Sequence, residues 1–321
     1  MITILKPGLL TTIQDLGRVG YQKYGVVVGG AMDLYSHRIA NLLVGNEEHI
    51  PTLEITLMGP VIQFHQDTLI AICGGDLTPM ADGNSVPMWR PFLVRKEQVL
   101  RFEACVKGCR TYMAIAGGLN IPFVMGSAST YVRGEMGGVH GRALQVHDEI
   151  SIGTMNWTSL KIFQKLLIGG NVKWSVPSKR IHPIIRIVKG REYKYFSTES
   201  RKILYESVFE ISTKADRMGY RLVGPALLRE ERTEMISEAV DFGTIQVTPE
   251  GNPIILLADR QTTGGYPRIA QVISVDLPML AQMKPGDKIM FKEICLQDAQ
   301  QLFRENERFF SMLRRSIELK I

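Results

Sequence analysis

Residues 259–268 read DRQTTGGYPR and follow the apolar run PIILLA, so one acid, two arginines, a glutamine, two threonines and two glycines crowd into ten positions. An ordinary solvent loop is satisfied by Gly, Asn, Ser or Asp. This one has the donors and acceptors to hold something polar. If the strand continues outward, Asp259 and Gln261 share one face and Arg260 takes the other. Gly264 and Gly265 then permit a turn whose amides face a ligand. Tyr266-Pro267 stiffens the exit, and Thr262 and Thr263 add hydroxyls. The alternative is structural, with Asp259 and Arg260 closing a barrel end as an ion pair.

Related groups occur elsewhere. ADRMGYRL carries Asp216, Arg217, Tyr220 and Arg221; these either contact a ligand or pair among themselves while Gly219-Tyr220 fixes a barrel corner. QDLGRVGY places Asp15 and Arg18 in the equivalent position near the amino terminus. In GSAST, residues 126–130, Ser127, Ser129 and Thr130 offer hydroxyls to a carboxylate or phosphate, or sit satisfied in a β-bulge. Asp76 ends GGD where the later segment has DRQ. His140 and His147 flank GRALQ, but no Ser or Cys nucleophile motif lies near them. The expectation is a site shared by loops, without a self-sufficient triad.

The remaining features narrow the class. The chain has 321 residues, 45% hydrophobic and 22% charged, enough for a core and for two domains of ordinary size. No apolar run approaches the ~18 residues of a membrane span, and MITILKPGLL does not read as an export signal. A net charge of +6 is modest, and the basic run RRSIELK lacks interleaved aromatics, so nucleic acid is not an expected partner. Four cysteines point to a reducing compartment, hence the cytoplasm. Cys105 and Cys109 lack a second ligand pair, so they read as buried thiols in a strand pair and no metal site is expected.

The positioning elements read as mainly β. PVIQFH, LIAICGG, RTYMAIAGG, IIRIVKG, TIQVT and PIILLA recur between Gly, Pro, Asp and Asn. Helices are expected in DLYSHRIANLLVGN, capped by Asp33 and stopped at Gly45, and in STESRKILYES. A third is expected in the tail from Asp298, with Leu302, Phe309, Leu313 and Ile317 on one stripe. LEITLMGPVIQF and LIAICGG in the first half face SEAVDFGTIQVT and IILLADRQ in the second at an offset of about 185 residues, as in a duplicated β-rich unit. The boundary is expected near residue 175, giving domains 1–175 and 176–321.

Taken together, PGLLTTIQDLGRVGY, GAMDLYSHRIANLLVGN, LEITLMGP, ADRMGYRL, GTIQVTPEGNPIILLADRQTTGGYPRIAQVISVDL and PGDKIMF resemble the carboxyltransferase-domain family. This family includes allophanate hydrolase subunit 2, the KipI antagonist KipA and the C subunit of 5-oxoprolinase. The chain departs from the family pattern at Ala215, Gly29, Ala128 and Gly190-Arg191. The resemblance implies two tandem cyclophilin-like β-barrel domains with a few short helices and a C-terminal helix. It also implies one component of an ATP-dependent 5-oxoprolinase that opens 5-oxoproline to L-glutamate. The partners would be the two other 5-oxoprolinase components, a KipI-like B protein and a LamB/YcsF-like A protein. Mg2+ would accompany ATP if a metal is used.

A lactam carbonyl is a poor electrophile, and coupling to ATP points to phosphorylation of its oxygen, a step that needs positioning and charge neutralisation. On that reading Asp259, Arg260 and Arg217 are the candidates for the chemical step. Gln261, Thr262, Thr263, Gly264, Gly265 and Tyr266, with Asp216, Tyr220, Arg221, Ser127, Ser129, Thr130, Asp15, Arg18 and Asp76, are the candidates to bind substrate or phosphate. No G-x-x-x-x-G-K-[ST] phosphate loop occurs. Two other functions fit the resemblance: a biotin-dependent carboxyltransferase component like that of urea carboxylase, or an antagonist that binds a KipI-like histidine kinase inhibitor.

Overall fold

The computed structural model describes residues 1–169, 172, 174–179, 181–230 and 235–321. Positions 170, 171, 173 and 180 of the expected linker lie outside the described residues. The chain divides into two compact units. The first comprises Met1–Arg18, Gly29–Lys179 and Phe309–Ile321; the second comprises Val19–Val28 and Arg180–Arg308. Neither unit is one continuous stretch of chain.

The architecture is mainly β. All six apolar segments form strands: Val61–Phe64, Thr68–Asp76, Lys107–Ile115, Ile184–Lys189, Thr244–Val247 and Pro253–Leu256. In the first unit a five-stranded sheet runs Leu10–Gln14, Thr52–Thr56, Lys107–Ile115, Thr68–Asp76, Pro91–Val94. A six-stranded sheet contains Ile2–Lys6, Val61–Phe64 and Val99–Arg101 among its members. Alternation sends Ile13, Leu53, Ile55, Ile70 and Met113 to one face, where they meet Ile2, Ile4, Ile62 and Phe64 in a closed core. Burying each of these side chains stabilises the fold by about 1.5–3 kcal/mol.

The opposite face of the five-stranded sheet is also buried, which explains why Thr68–Asp76 reads as a continuous apolar run. Its Leu69, Ala71 and Cys73 pack against helix α1, Leu34–Leu43. Asp33 caps α1 by accepting from the Ser36 amide at 2.8 Å, and Gly45, at φ 77°, follows its end. Helix α2, Trp157–Leu167, lies outside the expected set; Asn156 caps it, and only Ser159 and Ile162 are buried. Phe163 and Leu166 are partly buried against the same core as α1.

In the second unit seven strands close a barrel: Ile184–Lys189, Arg268–Val272, Thr244–Val247, Pro253–Leu256, Gly219–Val223, Phe209–Ile211 and Lys288–Glu293. The first and last pair in parallel and complete the ring. Ile185, Ile187, Ile245, Ile255 and Phe291 fill it. Helix α3, Thr198–Glu206, is capped by Ser197, and the short α4 spans Leu277–Ala281. The tail helix α5 runs from Leu296 to Glu318. Its buried residues are Phe310 and Ile317. The expected Phe309 is half-exposed, stacking on Tyr35 with ring centroids 6.1 Å apart.

Candidate functional site

The strand Pro253–Leu256 stops three residues before Asp259, which therefore sits in a turn. This corrects the expected alternation: Asp259 and Arg260 are both buried and Gln261 is exposed. The ion pair is also different from the one expected. Asp259 receives a two-pronged contact from Arg217, Nε at 2.9 Å and Nη2 at 2.8 Å, rather than pairing with Arg260. The Asp259 amide also donates to the Arg217 carbonyl at 2.8 Å, so the two loops are tied through backbone as well.

Arg260 is held separately. Its Nη2 lies 2.8 Å from Asp241 Oδ1, and its other nitrogens reach the carbonyls of Val240 and Leu257 at 3.4 Å. Burial pulls its pKa below the ordinary arginine value, and the Asp241 carboxylate opposes that shift. The second arginine of the segment, Arg268, makes a forked contact with Glu192, both nitrogens at 2.8 Å, and reaches Glu238 at 2.5 Å. These contacts raise its pKa well above the ordinary value. The charges of DRQTTGGYPR are thus engaged by the barrel itself.

Gly264 and Gly265 do not form a glycine turn, and neither takes a left-handed φ. Instead Thr263–Gly264 pairs antiparallel with Glu238–Ala239. Gly264 leaves room for the Gln246 side chain: a β-carbon there would stand 2.5 Å from Gln246 Nε2, which would have to shift. What the segment turns outward is Gln261, Thr263, Gly265 and Tyr266, with Thr262 half-buried.

In ADRMGYRL, Asp216 is exposed and its Oδ1 accepts from the amides of Met218 and Gly219 at 2.8 and 3.2 Å. The Tyr220 hydroxyl donates to the Met283 carbonyl at 3.0 Å, and Arg221 is exposed. Arg217, the buried charged member of the motif, also reaches out of it to Asp259.

The first unit brings Asp15, Arg18 and GSAST together. Asp15 is buried, and its carboxylate accepts from Ser127 Oγ at 2.7 Å, Ser129 Oγ at 2.6 Å, the Ala128 amide at 2.6 Å and the Gly17 amide at 2.8 Å. Arg18 is fully buried; its Nε and Nη2 donate to the carbonyls of Val124 and Ser129, each at 2.9 Å. Gly137, at φ 69°, lies so close that a β-carbon would stand 2.1 Å from the Ser129 carbonyl oxygen. Thr130 Oγ1 accepts from the Ile13 amide. Asp76 is exposed and accepts from the Thr78 amide at 2.8 Å.

Sequence reasoning missed a neighbouring polar cluster. Glu54 Oε2 accepts from the Tyr112 hydroxyl at 2.7 Å and the Met32 amide at 2.9 Å, while the Tyr112 oxygen accepts from the Asp33 amide at 2.8 Å. His37 bonds Thr52 Oγ1 and the Glu48 carbonyl. Burial lowers its pKa to about 4, against a smaller upward pull from Asp15. The signal was present: Glu54 in LEITL and Tyr112 in RTYMA are polar groups inside apolar strands. Among the described residues no group of three or more His, Cys, Asp or Glu could hold a metal ion, and no helix is long and apolar enough to cross a membrane.

The signature described as carboxyltransferase domain, subdomain A and B, matches residues 24–293. The chain belongs to the carboxyltransferase-domain family. Within it, the chain is 36% identical over 320 residues to the C subunit of 5-oxoprolinase from Haemophilus influenzae, covering 100% of both chains. It is 38% identical to the Escherichia coli protein of the same name, over 98% of this chain and 97% of that one. The urea amidolyase of Saccharomyces cerevisiae is 32% identical across 94% of this chain, which spans 17% of the yeast protein. Among solved structures, the Kluyveromyces lactis urea amidolyase superposes with a TM-score of 0.87 at 27% identity, over 97% of this chain and 20% of that one.

Proposed function

We propose that this chain is the C subunit of a cytoplasmic 5-oxoprolinase, which opens 5-oxoproline to L-glutamate with ATP hydrolysis. Its partners would be a KipI-like B protein and a LamB/YcsF-like A protein. The observation that carries the reading is the end-to-end match to proteins of that name, 100% of both chains in one case, whereas the urea amidolyase relatives are several times longer. The chain's own residues support a role inside a larger assembly. The groove beside the segment, lined by Phe196, Leu227, Val247 and Pro267, holds about 140 Å³, below the ~300 Å³ of a small-molecule pocket.

The buried arginines of this region do not fit a nucleotide by themselves. Arg217, Arg260 and Arg268 are engaged by Asp259, Asp241 and Glu192, so these three cations are already committed to carboxylates. On this proposal ATP, with any Mg2+, is held with the partner proteins, and this chain contributes a rigid rim. The buried pairs fix the turn, and Gln261, Thr263 and Tyr266 present hydrogen-bonding groups from it. These groups bind and orient; none has the geometry of a base with a nucleophile.

The test is reconstitution of the three proteins. Glutamate is expected from 5-oxoproline only with ATP and all three chains present. Gln261→Ala with Thr263→Ala is expected to lower turnover more than tenfold, about 1.4 kcal/mol or more in transition-state binding, without altering assembly. A folded, complete assembly that releases no glutamate would remove the proposal.

A second reading rests on the superposition with the yeast enzyme: a carboxyltransferase component acting with a biotinylated carrier. Carboxyl transfer from such a carrier, with no ATP-linked glutamate release, would favour it.

A further inference from the structure

The cysteines that make no metal site have an arrangement of their own. None of the four is disulfide-bonded in this structure. The strand Lys107–Ile115 begins by doubling back over Leu57. The Leu57 amide donates to the Cys109 carbonyl at 2.9 Å, and the Cys105 amide donates to the Leu57 carbonyl at 2.8 Å. Cys105 and Cys109 thus lie opposite the same residue, and Val106–Gly108 are extruded between them. The Val106 amide, donating to the Asp76 carbonyl at 2.8 Å, holds the extruded loop. Left-handed φ values at Leu57 and Gly108, 60° and 83°, make so tight a return possible.

The Cys105 sulfur points along the chain toward Cys109, whose own sulfur accepts from Arg110 Nη1 at 3.6 Å. Cys105 Sγ lies 3.0 Å from the Gly108 carbonyl oxygen, which belongs to the peptide leading directly into Cys109. Two α-carbons facing one residue can meet the separation of about 4.4–6.8 Å that a disulfide needs. Their exposures also differ in a useful order: Cys105 is half-buried at the loop's foot, and Cys109 is 3% exposed. Cys73 is fully buried and its thiol is pushed well above the ordinary value by that burial, so it stands outside such chemistry. Cys295 is exposed but has no such neighbour placed for it by the fold.

We propose that Cys105 and Cys109 are a reversible redox modification site, closed to a disulfide by a low-molecular-weight disulfide such as oxidised glutathione. The accessible Cys105, as thiolate, attacks one sulfur of the oxidant; a Cys105–glutathione bond forms and one glutathione thiolate leaves. Cys109, as thiolate, then attacks Cys105 Sγ, and the second glutathione leaves. The two protein thiols lose two electrons and two protons; the oxidant gains both and departs as two molecules of glutathione. Intracellular disulfides of this kind are typically transient and redox-sensing. Closure would lock the extruded loop, whose Val106 is exposed.

The sequence supplies a direct readout, because Lys107 lies between the two cysteines. The full chain carrying Cys295→Ser is incubated, folded, with mixtures of reduced and oxidised glutathione, alkylated, and digested with trypsin without reductant. Peptides 102–107 and 108–110 are expected to be recovered joined, and to separate on reduction. With Cys109→Ser added, the resolving sulfur is gone, and the glutathione adduct on Cys105 is expected to accumulate about tenfold above its level in the parent. Recovery of the two peptides separately at every glutathione ratio would overturn the proposal. So would an unmodified Cys105 in the Cys109→Ser protein, or joining that appears only after the chain is unfolded.

Discussion

The two Asp-Arg-Gly-Tyr regions begin alike and end differently. In both, the aspartate accepts from the amide two residues ahead, Asp15 from Gly17 and Asp216 from Met218, each at 2.8 Å. In the first unit that aspartate is buried and its charge is met by two serine hydroxyls and two amides, while Arg18 is spent on carbonyls. In the barrel the equivalent Asp216 stays in solvent, and Arg217 turns instead to Asp259, 42 positions on in the chain. One motif therefore has two electrostatic solutions: neutral donors around a buried anion, or a buried ion pair. The first tolerates loss of a single donor; the second loses both prongs of its contact at once when either partner goes.

That contrast orders the expected effects. Asp259→Ala removes the two-pronged partner of the Arg217 guanidinium, and breaking such a buried pair costs about 3–5 kcal/mol. Denaturant titration should show it, and Asp259→Leu with Arg217→Met should recover much of the loss. If the single and double variants were equally unstable, the pair would not be the unit of stability.

Next comes acid sensitivity in the first unit. His37 is held to about 4, below the ~6.5 of an unfolded chain, so between those values the unfolded state binds the extra proton. Stability should be full above pH ~6.5 and fall by on the order of 3 kcal/mol as pH drops toward 4. His37→Gln should flatten that part of the profile; an unchanged slope would place the titration elsewhere.

Ser129→Ala removes one of four donors to Asp15 and is expected to cost about 1.5–3 kcal/mol, the range for a hydrogen bond to a charged group. A loss as large as that of Asp259→Ala would erase the distinction between the two regions. The smallest effect belongs to Asp241→Ala. Its side chain is 85% exposed, and pairs with one solvent-exposed partner contribute about 0–1 kcal/mol. A small change in melting, with Arg260 still held by the carbonyls of Val240 and Leu257, is the expected outcome.

Strands were legible wherever apolar residues ran between turn residues, as in PVIQFH or TIQVT, because burial on a sheet needs only the right residue types at the right period. Helix α1 was legible for the same kind of reason: Asp33, the apolar stripe and Gly45 are all local. Helix α2 was not, although Leu160, Phe163 and Leu167 stand at helical spacing behind the Asn156 cap. The Gly, Pro and Lys that follow it give the segment the composition of a linker. In the tail, the period allowed either Phe309 or Phe310 to be the buried ring; both meet Tyr35, and Phe310 is the one also covered by the Arg38 guanidinium.

What the sequence determined by itself was therefore the set of strands, the capped helices, the family, and the segments where polar groups gather. What only the tertiary structure decided was who holds whom. Arg217 and Asp259, or Asp15 and Ser129, are far apart in the chain, and no local period carries a charge pairing across such distances. Such a pairing is selected by which loops the closed sheets bring within about 3 Å, where low exposure makes an unmet charge too costly to leave.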